Sequence, residues 1–271
     1  MTFRSVVFFV GTGLLCLSAS SVDAQGPSVD SVVMAAQRLL AACDSQIVEM
    51  IFVTMVHERE LRDDGTIKKE KSFKIRHFIR GEQDREVLEA MWEDGEPILG
   101  LRLANEQRKR EKERLRRFEG RRKNPGKSDG DRSRSLSMLQ PFLPNHRANY
   151  EFPSMTEDTL GGIRCWRIVV NPLSDDDKLV EGALWVEQES CRAVAEEYEI
   201  VNPPGPARAS SLWLEHTPLV GNCAFLRHIR VRGQGKAFLI ISFNFELEMF
   251  LDSVQVNPGL PDSIFLLPDA N

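Results

Sequence analysis

The sequence predicts a mainly β (α+β) protein built on a large antiparallel sheet. Three observations carry this. Apolar and polar residues alternate in run after run between residues 47 and 251. Asp-Gly and Pro/Gly breaks punctuate those runs, and one short helical period stands apart near the N-terminus. The 271 residues suit one large domain or two small ones, and 42% hydrophobic with 28% charged residues excludes a fibrous or disordered chain. A net charge of −5 argues against a dedicated nucleic-acid binder. Phenylalanine outnumbers tyrosine 15 to 2, which suits core or lining positions.

An export signal is the first expected element. Arg4 precedes the apolar run Val6 to Leu17, and Val22-Asp23-Ala24 supplies the small-residue exit for cleavage after Ala24. The run is shorter than the roughly 20 residues that span a bilayer. Leu15 before Cys16 does not fit lipidation. The expectation is a protein of the periplasm or cell envelope whose residues 25–271 form a single domain. Cys43, Cys165, Cys191 and Cys223 then remain in an oxidising compartment. Cys165 and Cys191 are separated by an intervening strand, too far for a bond, so any bridge uses Cys43 or Cys223. Without a CxxC pair, zinc binding is not expected.

The mature chain opens on a helix over 28–43, where Val32, Val33, Ala36, Leu39, Leu40 and Cys43 recur at helical spacing behind Ser28 or Asp30. Ile47 to Leu61 and Ile67 to Ile79 flank Asp63-Asp64-Gly65 as a hairpin. Phe73, Ile75, His77 and Ile79 alternate there with polar residues. Glu86 to Trp92 makes a third strand. Composition then shifts. Residues 102–134 carry 14 Lys/Arg against 6 Asp/Glu, leaving −13 for the rest of the chain. Residues 105–123 read as a charged helix with little to bury, and 124–137 as a flexible Gly/Ser-rich linker, together a charged insertion over 100–137.

Strands resume at Ile163–Val170, Ala183–Glu187, Arg192–Val201, Leu212–His216 and Cys223–Arg232, the last ending in a turn at Gly233-Gln234-Gly235. A long strand follows, with Ala237, Leu239, Ile241, Phe243, Phe245, Leu247, Met249 and Leu251 on one face. About 15 residues of strand span roughly 50 Å, well beyond an ordinary strand. Its apolar face needs a second layer, and two helices cannot pave some nine strands. Either the sheet folds onto itself as a sandwich or it curls into a partial barrel whose inner face can hold an apolar ligand. In the curled case the face containing Leu239 to Leu247 touches the 28–43 helix near its centre.

The stretch IVEMIFVTMVHERELRDDGTIKKEKSFKI and the later RCWRIVVNPLSDDDKLVEGALWVEQESCRAVAEEYEI, with a charged helix between them, resemble exported bacterial proteins related to the outer-membrane lipoprotein-sorting carriers, the LolA-like half-barrel. The resemblance implies a strongly curved antiparallel sheet of about nine or more strands, with the N-terminal helix packed on its concave side. It also implies a lipid or an acylated protein as partner. Phe73, Ile75, Leu239, Ile241, Phe243, Phe245 and Leu247 are the candidate cavity lining.

Catalytic motifs are missing from the sequence. There is no HExxH, GxSxG, GxGxxG or GxxxxGK[ST], so no cofactor, metal or catalytic residue is expected. His57 and Glu58 occupy opposite strand faces and cannot act together. His77 and His228 are expected at the surface or an edge. Asp175 to Asp177 lack the spacing of a Ca2+ loop. Trp92, Trp166, Trp185 and Trp213 lie on strands, as core or lining. The basic segment Arg108–Lys123 is a solvated helix or a contact for an anionic membrane surface. The expected function is a non-enzymatic lipid or acyl-group binder. An envelope structural or interaction module with a filled cavity is the alternative, and an enzyme with an unrecognised site the third reading.

Overall fold

The computed structural model describes residues 26–266 except 82, 124–140, 142–145, 176–178, 203–206 and 238–240. The expected signal peptide and the 124–137 linker lie outside the described residues. Two helices, α1 (Val29–Gln46) and α2 (Leu101–Lys123), accompany twelve strands. The strands are β1 (Glu49–Leu61), β2 (Ile67–Arg80), β3 (Gln83–Glu93), β4 (Glu96–Pro97), β5 (Tyr150–Glu151), β6 (Met155–Leu160), β7 (Ile163–Pro172), β8 (Val180–Glu187), β9 (Ala193–Ile200), β10 (Ala207–Pro218), β11 (Ala224–Ala237) and β12 (Ile241–Val256). They form one open antiparallel sheet, ordered β4-β3-β2-β1-β12-β11-β10-β9-β8-β7-β5, with β6 also on β7. This is the curved half-barrel architecture.

The register fixes which residues share the inner face. One row crosses ten strands: Met91, Phe73, Val56, Met249, Ile229, Leu214, Glu196, Leu184, Ile168 and Met155. Period-2 alternation puts apolar side chains at nearly every step of that row, which is why it must be covered.

Both helices lie on this face. Ser28 caps α1 by accepting the Ser31 N–H at 3.2 Å. Val32 and Val33 pack α1 on Ile168, Leu184, Val186 and Ala193. The helix therefore covers β7–β9 rather than β12, correcting the expected contact with the long strand. A disulfide between Cys43 and Cys223 ties its C-terminal end to the start of β11, while Cys165 and Cys191 stay free. The Asn257 side chain accepts the Val48 and Glu49 N–H groups and donates to the Gln46 carbonyl, so the chain end after β12 secures the α1–β1 junction.

Two further expectations change. Gly233-Gln234-Gly235 is not a turn: it pairs with Phe245, Asn244 and Phe243, and β11 runs on to Ala237. The Phe245 ring lies over Gly233, where any Cβ would collide with it, so the glycine serves close packing within a strand. The long strand accordingly starts at Ile241 and extends to Val256. His77 is not a surface residue either. It stacks on Phe52 at 4.6 Å and shares a 2.7 Å hydrogen bond with the Thr54 hydroxyl. Burial holds its pKa down at about 4, against the opposing charge of Asp84 and with Arg110 adding to the lowering.

The outer face is polar around β1 and aromatic around β8. Arg59 bonds Glu70, Glu246 and Glu248 at 2.7–2.8 Å, and Arg232 bonds Glu246. Burial works against the charge of Glu246, yet the Arg232 and Arg59 hydrogen bonds hold its pKa below the usual carboxylate range. Trp185 and Trp213 pack together on this same face, 5.8 Å apart, so they do not line the interior.

Candidate functional site

Along β1, β2 and β12 the inner face changes character. Beneath α2, Phe73 and Ile75 are 3% and 4% exposed and pack with Val56, Leu88, Met91 and Ile98. Leu103 from the helix and Leu247 from β12 complete that cluster. Two residues further toward the hairpin tip, Lys71, Glu58 and Leu247 form one cross-strand row, and Lys69, Glu60 and Phe245 the next. These six residues line an open groove of about 460 Å³.

Its floor is apolar and its wall is charged. Leu247 and Phe245 are half-buried. Lys69 pairs with Glu93 at 2.8 Å, and that contact raises the lysine and holds the Glu93 carboxyl down at about 2. Arg102 at the start of α2 also reaches Glu93, at 2.8 Å. An apolar chain can lie on Leu247 and Phe245, with charges of both signs, Glu58 and Glu60 and then Lys69 and Lys71, along one side.

Of the residues singled out from sequence, Phe73, Ile75 and Leu247 come together under α2, and Leu247 and Phe245 line the groove. Ile241 and Phe243 lie on β12 opposite Ala237 and Gly235, with side chains outside the described set. Leu239 lies outside the described residues. The lysines and glutamates of the groove escaped sequence reading because Lys68-Lys69-Glu70-Lys71 looks like an ordinary solvated strand end. Only the cross-strand rows Lys71–Glu58–Leu247 and Lys69–Glu60–Phe245 bring these charges alongside an apolar floor.

A second polar group is sealed inside. Glu196 and His216 bond at 2.6 Å, with side-chain exposures of 0% and 1%. Tyr198 lies on the same face as Glu196. Burial first, then the Glu196 charge, raises its hydroxyl well above the usual phenol range. Such a pair holds a core register and is closed to substrate. Among the described residues no three His, Cys, Asp or Glu side chains are grouped to hold a metal.

No known family profile matches the chain, and no curated protein matches it. Among solved structures, it is similar to a DUF1329 family protein from Desulfovibrio piger. Identity is 12%, with 89% of this chain and 98% of that chain covered and a TM-score of 0.44. It is also similar to a putative outer membrane lipoprotein-sorting protein domain from Vibrio parahaemolyticus, at 10% identity, 88% and 97% coverage and a TM-score of 0.40. A LolA superfamily protein from Nitrosomonas europaea gives 11% identity, 86% and 97% coverage and a TM-score of 0.33. The chain resembles the LolA-like half-barrel proteins; what its groove does rests on its own residues.

Proposed function

We propose that this protein is a non-enzymatic binder of the cell envelope that takes the acyl chain of a lipid or lipoprotein into the inner-face groove. One observation carries the reading: beyond the reach of α2, the half-barrel interior is an open groove with Leu247 and Phe245 as floor, Glu58 and Glu60 next to them and Lys69 and Lys71 one strand further. Apolar floor with a few placed charges is the usual makeup of a small-molecule site, and this polarity suits an acyl chain ending in a polar group. Native mass spectrometry of the protein purified after export is expected to find a co-purifying lipid. Leu247→Asp or Phe245→Asp is expected to abolish binding of a fluorescent fatty-acid probe while the far-UV circular dichroism stays native. Probe binding retained in both folded variants overturns the reading.

A second reading has its own support. Between α1 and strands β8, β9 and β11 only about 40 Å³ remains, lined by Leu40, Leu184, Val186 and Ala193. That volume holds little beyond a water molecule or two. A half-barrel plugged in this way also suits a structural or protein-interaction module. An empty protein in the mass spectrum, with no probe binding, selects it.

A further inference from the structure

Helix α2 sorts its charges between two faces. Leu103, Gln107, Arg110 and Arg114 recur at spacings of four and three and turn toward the sheet. Gln107 accepts the Leu88 N–H at 2.7 Å and donates to the Glu86 carbonyl, and Arg114 donates to the Asp84 carbonyl. Arg110 lies 4.5 Å above the Phe73 ring. The acids beside this face are used locally. Glu106 pairs with Arg110 at 3.3 Å and Glu111 with Arg114 at 2.7 Å.

The opposite side is different. Leu101, Asn105, Arg108 and Lys112 fall in one line, with Lys109 and Arg116 one step to the side, and all six are exposed. Among the described side chains of α2, Glu113 is the exposed acid at the border of this face. At its N-terminal end stand Leu99 and Leu101, 74% and 78% exposed, the two most exposed large apolar side chains among the described residues. Scattered exposed leucines are ordinary. Two of them two residues apart, at the head of a row of four cations, make an interfacial pattern: apolar side chains to enter the headgroup layer and basic ones to hold its charge.

We propose that the outward face of α2, with Arg108, Lys109, Lys112 and Arg116 and with Leu99 and Leu101 at its head, docks on an anionic lipid bilayer. Charge complementarity selects the occupant and the orientation. Outside residues 102–134 the chain carries −13, so the remainder is on balance repelled by an anionic surface and this face is drawn toward it. The leucines argue for a bilayer over a soluble polyanion, which has no apolar layer to receive them. This docking goes beyond groove loading and is independent of it.

The test is co-sedimentation of the protein purified after export with vesicles of equimolar phosphatidylcholine and phosphatidylglycerol. Binding is expected to these and not to pure phosphatidylcholine, and to fall as salt rises. Each basic side chain at such a surface contributes roughly fivefold in partitioning, so joint R108S, K109S, K112S and R116S substitution is expected to weaken binding by more than about tenfold. Removing four exposed cations elsewhere, by joint R38S, R62S, R164S and R227S, is expected to change it by less than about twofold. Joint Leu99→Ser and Leu101→Ser is expected to weaken binding while leaving its salt dependence. Leu247→Asp is expected to leave vesicle binding unchanged, which separates this proposal from the groove. No vesicle binding by the unaltered protein, an equal loss in the control variant, or tight binding to heparin without vesicle binding overturns it. Apart from the half-buried Leu247, all the altered side chains are exposed, and thermal melting checks that each variant is folded.

Discussion

Helices α1 and α2 lie on the same face of one sheet and are held there by opposite chemistry. Helix α1 uses an apolar stripe, with Val32 and Val33 3% and 1% exposed, and a covalent tie through Cys43. Helix α2 offers Leu103 and otherwise docks through Gln107, Arg110 and Arg114, which reach backbone atoms of β3 and a phenyl ring. The difference follows from what each one covers. Helix α1 sits over β7–β9, strands that are each paired on both sides, where only side chains face it. Helix α2 lies along β3, which pairs with β2 on one side and only briefly with β4 on the other. A strand edge presents N–H and C=O groups that need partners, so a polar helix is the better cover. Hydrophobicity alone does not say which helix docks.

Breaking the α1 tie is expected to have the largest effect. The Cys43–Cys223 bridge closes a sequence separation of 180 residues. Joint Cys43→Ser and Cys223→Ser is expected to lower the unfolding free energy by about 3–5 kcal/mol in guanidinium titrations. Proteolysis in the variant should begin at α1 and leave α2 docked; earlier cleavage in α2 would reverse the ranking of the two helices. Next comes acid. His77 is neutral in the fold, with its pKa down at about 4 against an ordinary 6.5. The unfolded chain therefore binds its proton first. Stability is complete above pH 6.5 and falls as pH drops toward 4, by up to about 3 kcal/mol from this group. Carboxylates such as Glu246 and Glu248, held low by their arginines, lose their contribution only below the ordinary carboxylate range. His77→Gln is expected to flatten the slope between pH 6.5 and 4 and leave the acid limb below it. An unchanged slope would place the histidine in solvent. The smallest expected effect is on the polar dock. Gln107→Leu leaves the Leu88 N–H and Glu86 C=O without their side-chain partner, at a cost of about 1–3 kcal/mol. Faster hydrogen exchange at Leu88, with α1 amides unchanged, is the local readout.

Much of the frame was legible. The Asp64-Gly65 hairpin, the 28–43 helix and the alternating face of the long strand read directly, because period and turn chemistry are local properties. The isolation of Cys165 from Cys191 read through strand spacing, though the actual partner of Cys43 did not. Other readings failed for physical reasons. Gly233 and Gly235 spell a turn in isolation, yet the Phe245 ring across the strand takes the space over Gly233. His77 alternates with charged neighbours, as a surface residue does, but its own side belongs to the buried row of Phe73 and Ile75. The groove was half visible: Leu247 and Phe245 stood out, Lys69 and Lys71 did not.

By itself, then, the sequence determined a mainly β chain with one apolar helix, one basic helix and an inner face rich in Leu, Ile and Phe. These follow from period, composition and turn residues, which act over a few positions. Tertiary structure alone decided that α1 covers β7–β9, that Cys43 meets Cys223, that α2 runs along the β3 edge, and that Lys69 and Lys71 border an apolar floor. Each of these is a pairing between segments far apart in the chain. Such pairings depend on strand order and register, and no window of sequence carries that information.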